Sequence, residues 1–145
     1  MLFRRSIPAV LLLALAAATP ALAQPSARAM GIDPEKEYSP AYDRCLNSGD
    51  ALKGVTVAMA GCTNVELQKQ DARLNRAYKA AMAKRSKPQQ ASLRTAQRAW
   101  IKRRDAECQE DLTGGTIDML NIGGCHLSMT TVRAVELERM VKARR

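Results

Sequence analysis

Apolar residues recur at three- and four-residue intervals through much of the chain, and no stretch alternates with period two. At about 100° per residue, Leu67, Asp71, Leu74, Tyr78 and Ala81 share one face of a helix expected over roughly 57–85. Leu93, Gln97, Trp100, Ile101, Arg104 and Cys108 share one face of a second helix, expected over roughly 87–111. A short helix around 41–48 and a last one around 126–142 complete the set. Thr56 can cap the first long helix, whereas Thr63-x-x-Glu66 fits a capping box that would start it near 64. Ser86-x-x-Gln89, with Pro88 in the first turn, opens the second. Gly114-Gly115 and Gly123-Gly124 bracket the loop that follows it. The expected fold is all-α, a small disulfide-linked bundle built on a long antiparallel helix hairpin.

The N-terminus has a different character. Arg4 and Arg5 precede an apolar run over 7–18, and Ala21-Leu22-Ala23 offers the small residues a signal peptidase reads. The run is short for a membrane span, so 1–23 is expected to be a cleaved signal peptide, with no transmembrane segment after it. Residues 24–40 hold Pro25, Gly31, Pro34 and Pro40 without an apolar period, which predicts a flexible leader. The helical domain is then 41–145, in a periplasmic or secreted protein.

Export changes the meaning of the cysteines. Cys45/Cys62 and Cys108/Cys125 are spaced alike, and in an oxidising compartment four thiols read as two cross-links. Cys62 lies about 140° around its helix from Leu67, away from the stripe that meets Trp100. That favours the pairs Cys45–Cys62 and Cys108–Cys125, provided the helix starts near 57 rather than 64. Each bridge closes a loop of about 17 residues, contributing about 3 kcal/mol in the chain-entropy picture. Asp71 and Arg104 both fall on apolar stripes, at nearly equal distances before and after Lys87. In an antiparallel hairpin they would stand at the same height, so they are expected to form a structural ion pair that fixes register.

Composition narrows the function. The chain is 46% hydrophobic but only 3% aromatic, so the core must be mostly Ala, Leu, Met and Val, and no stacking platform for nucleic acid is expected. The formal charge is +9, and losing Arg4 and Arg5 with the signal leaves +7. Lys79, Lys84, Arg85, Lys87, Arg94, Arg98, Lys102 and Arg103 gather around the hairpin tip and its outer face. Such a surface suits an anionic glycan, lipid head group or acidic protein of the cell envelope. There is no Cys-x-x-Cys, and His126, the only histidine, adjoins Cys125 at the expected helix start. No phosphate-cradling glycine loop follows a strand. No catalytic residue, metal or cofactor is expected.

The combined pattern resembles the LprI-type lysozyme-inhibitor family. It is carried by Thr56-x2-Met59-x2-Cys62, by Glu66-x4-Asp71-x2-Leu74-Asn75-x2-Tyr78, and by Leu93-x3-Gln97-x2-Trp100-Ile101-x2-Arg104-Asp105-x2-Cys108. Gly114-Gly115-Thr116, Cys125 and Thr131-x-Arg133-Ala134-x-Glu136-Leu137 complete it, over roughly 42–140. The resemblance implies an exported, non-enzymatic binding protein with lysozyme as partner. Animal-type lysozymes are basic, so a basic inhibitor needs a local contact surface rather than long-range attraction. The 112–124 loop is the obvious protrusion, with Asp111, Gly114, Gly115, Thr116 and Asp118 as its binding residues.

Overall fold

The computed structural model describes residues 30–110 and 112–143. A 3-10 turn, Pro34–Glu37, precedes five helices: α1 Pro40–Leu46, α2 Gly49–Leu52, α3 Thr56–Ala83, α4 Lys87–Glu107 and α5 Asp118–Lys142. Among the described residues there is no strand, and the fold is all-α. α3 begins at Thr56 after Val55, so the Thr63/Glu66 capping box does not form. Thr63 Oγ1 instead donates back to the Met59 carbonyl at 3.1 Å. The Ser86/Gln89 box does form and starts α4, with Pro88 in the first turn, where a missing N–H costs nothing.

α3 and α5 make the closest pair and run parallel. Thr63 lies against Gly123 near their starts, and Lys84 Nζ donates to the Val141 carbonyl at their ends (3.3 Å). α4 returns antiparallel between those ends. It lays Leu93 and Trp100 into a core completed by Leu74, Ala77, Ala81, Ala134 and Leu137. Three of those seven residues are alanines, which lets the helices approach closely where they meet. α5 is eight residues longer at its start than the glycines suggested, and Gly123-Gly124 lies inside it. A Cβ on Gly123 would stand 3.4 Å from Thr63 Cγ2, so the residue serves close helix contact rather than a loop.

Asp71 and Arg104 do not pair. Arg104 donates through Nε and Nη2 to its neighbour Asp105, at 2.9 and 2.7 Å, and Asp71 accepts from Asn75 at 2.9 Å. The reason lies in the packing: α3 presses mainly on α5, which leaves a groove where α3 and α4 were expected to mesh. A buried charge that does bridge α4 and α5 is Arg133 of α5. Its Nε donates to Gln97 of α4 at 2.9 Å and its Nη1 to Glu136 at 2.8 Å.

Residues 30–40 are pinned rather than loose. Ile32 is buried, Gln70 Nε2 donates to the Glu37 carbonyl, and Arg139 donates to the Met30 carbonyl. Arg73 forks onto Glu138 (2.8 Å through both Nε and Nη2) and reaches Glu37 (2.9 Å), tying this segment to α3 and α5 together. Such a forked arginine is held strongly in its charged form, chiefly by Glu138. The expected signal peptide and residues 24–29 of the expected leader lie outside the described residues.

Candidate functional site

Because α3 and α5 start at the same end of the bundle and α4 finishes there, one pole collects three chain segments. Both disulfides sit at this pole. Cys45–Cys62 ties α1 to α3, and Cys108–Cys125 ties the end of α4 to α5, each across 17 positions. Each bridge is the pairing that the helix phase favoured. Exposed apolar side chains crowd the same pole: Leu52, Val55 and Val57 around the α2–α3 junction, Leu112 and Ile117 from the α4–α5 connection, and Met119 from the first turn of α5. Six large hydrophobes exposed in two neighbouring segments exceed the scattered singles normal for a surface.

The α4–α5 connection is short and braced. Gly114 has φ +80°, a left-handed conformation that favours glycine. Asp118 folds back on the turn: its carboxylate accepts from the Thr113 amide (3.0 Å), the Thr113 hydroxyl (3.0 Å) and the Gly114 amide (2.7 Å). Those bonds, led by the Thr113 amide, hold the Asp118 carboxyl below the usual carboxylate range. Asp118 therefore builds the loop instead of offering a free charge to a partner. Residues 118–124 are helical, so the protrusion narrows to the segment before Asp118. Gly114, Gly115 and Thr116 are exposed in it, and Asp111 lies outside the described residues.

Glycines and acids mark this loop in the sequence, but the apolar side chains it exposes are Leu112, Ile117 and Met119. Their signal was available: three large apolar residues in a segment too short for an amphipathic period. His126, read as a turn residue at a helix start, lies two turns inside α5. Its Nε2 is buried without a hydrogen-bond partner, and burial, with Arg104 nearby, pushes its imidazole below the ordinary value. Among the described residues no three His, Cys, Asp or Glu side chains form a group that could hold a metal ion. Among them, too, no helix is long and apolar enough to cross a membrane.

This pole combines a rigid frame, a short exposed loop and apolar side chains. It can bury surface against another molecule at little ordering cost, because its ends are covalently tied. A family model described as "Lysozyme inhibitor LprI" matches residues 47–137, well over half of the chain. No curated protein and no solved structure matches it.

Proposed function

As the chain belongs to the LprI lysozyme inhibitor family, we propose that it is an exported, non-enzymatic binding protein that inhibits lysozyme through its doubly bridged pole. The loop from Leu112 to Ile117 enters the substrate cleft, and Met119, Val55 and Val57 widen the contact around it. The observation that carries this reading is the exposed trio Leu112, Ile117 and Met119 on a turn fixed by Asp118 and closed by Cys108–Cys125. An apolar contact of this kind suits two basic proteins, whose long-range repulsion slows encounter but leaves the bound state to short-range packing. The inhibition is steric: a loop in the cleft excludes the glycan, so it should be competitive with substrate. Export, to the periplasm or beyond the cell, follows from the signal-like N-terminus and is consistent with two bridges.

Turbidity assays of cell-wall lysis with purified oxidised protein, run against several lysozyme types, test the proposal. A variant with 112–117 replaced by a short glycine turn, both bridges kept, should lose inhibition while melting as the parent does. Undiminished potency of that variant would refute the contact surface. Absence of inhibition by the parent against every lysozyme type would refute the function itself.

A further inference from the structure

Away from the bridged pole, a groove of about 430 Å³ runs between α3 and α4. Pockets of several hundred Å³ suit small ligands of one to a few rings. Ile101 and the partly buried Tyr78 give it an apolar surface, and Leu74 and Trp100 lie deeper, with the Arg104 guanidinium over the Trp100 ring at 5.1 Å. The groove's charge is lopsided: Arg94, Arg98 and Arg104 line it against a single carboxylate, Asp71.

Two of those arginines are uncommitted. Arg104 is spent on Asp105, but Arg94 and Arg98 make no hydrogen bond or ion pair with any described residue. They stand one turn apart on the same face of α4, so two guanidinium forks are presented side by side. Neutral groups complete the lining. Gln97 has its Oε1 occupied by Arg133, which leaves its amide nitrogen as a donor. Asn75 gives Nδ2 to Asp71 and keeps Oδ1 as an acceptor.

We infer that this groove binds an acidic oligosaccharide. A simple anion would use the arginines and nothing else. A sugar ring bearing a carboxylate uses all three features: the forks take the carboxylate, Gln97 and Asn75 take hydroxyls, and the ring's C–H face lies on Ile101 and Tyr78. The site is independent of the lysozyme reading, since it shares no residue with the bridged pole.

Calorimetric titration of the purified oxidised protein at low ionic strength tests this, with trigalacturonate, neutral chitotriose and inorganic phosphate as probes. Trigalacturonate should bind at least about tenfold tighter than either of the others. The double variant R94Q/R98Q should weaken trigalacturonate by about tenfold or more, without changing the melting temperature or lysozyme inhibition. K79Q/K102Q removes the same charge outside the groove and should stay within about twofold of the parent. Equal loss in both double variants would mean diffuse charge attraction and would overturn the site. Phosphate or chitotriose binding as tightly as trigalacturonate, or no heat with any probe, would overturn it too.

Discussion

Glu66 reaches from α3 to the start of α1, 27 positions away, and its buried carboxylate accepts from both the amide (2.9 Å) and the hydroxyl of Ser39. Ser39 is the residue that precedes α1, so a distant carboxylate takes the amide that a capping-box Glu in the first turn would take. Gln70 Nε2 donates to the same carboxylate at 2.9 Å while also holding the Glu37 carbonyl. Glu66→Ala should therefore cost about 2–4 kcal/mol, because it removes the acceptor of the part-buried Ser39 amide and hydroxyl and one of the two acceptors of the buried Gln70 amide. Urea denaturation measures that cost. Limited proteolysis should show new cleavage within 30–40, and Glu66→Gln should lose less than Glu66→Ala on both measures.

Acid should destabilise the fold in two stages. Burial pushes the Glu66 carboxyl up, but Ser39, Gln70 and Lys69 more than offset it, and the net shift is downward from 4.5. Glu138 is lowered too, chiefly by Arg73. A carboxylate with a depressed folded pKa stabilises above its unfolded value and loses that contribution as pH falls through the folded one. His126 obeys the same sign, because its folded form also binds a proton less readily than the ordinary 6.5. Melting temperature should decline gently as pH drops below about 6.5, then steeply below about 4.5. His126→Leu should abolish the first decline and keep the second. A first decline that survives in His126→Leu assigns it to another group.

The two adjacent glycines of α5 should respond oppositely to added bulk. A Cβ on Gly124 meets nothing within 4 Å, so Gly124→Ala should stabilise by about 0.5–1 kcal/mol through helix propensity. On Gly123 the Cβ would already touch Thr63, so Gly123→Leu must push α5 off α3 and should destabilise by about 1–3 kcal/mol. Thermal melts of the two variants decide the matter.

Removing either bridge should cost about 3 kcal/mol, since both close loops of the same length. Their functional consequences should differ. Cys108→Ala/Cys125→Ala frees the base of the Leu112–Ile117 loop and should weaken lysozyme inhibition strongly, even well below the melting temperature. Cys45→Ala/Cys62→Ala should leave inhibition close to the parent's at such temperatures. Equal inhibition by the two pairs would separate the loop from the activity.

Local signals in the sequence translated well into structure, and long-range ones, the two bridges apart, did not. The Ser86/Gln89 box and the periodic stripes of α3 and α4 depend on neighbours within a few positions, and the helices stand where those stripes predict them. Glu66 fits a local box with Thr63 equally well, and nothing in its neighbourhood says that Ser39 will claim it. Asp71 and Arg104 sit on stripes of matching height, but the stripes do not reveal that α3 turns its small residues toward α5. The pinned segment from Met30 was hidden for another reason. Two of its ties run through backbone carbonyls, at Met30 and Glu37, which no side-chain pattern records, and two others, Glu66–Ser39 and Arg73–Glu37, span 27 and 36 positions. At the bridged pole, cysteine spacing points to the frame, while the loop's glycines and acids are more conspicuous in sequence than the apolar trio beside them.

Both cross-links lie at one extremity, so the opposite tip around the 84–86 turn is held by non-covalent contacts alone. Thermal opening should start at that free tip and travel toward the sulfur-tied end, as a clip opens from its unhinged side. Heating could thus loosen half of the helical shaft while the surface assigned to lysozyme keeps its shape.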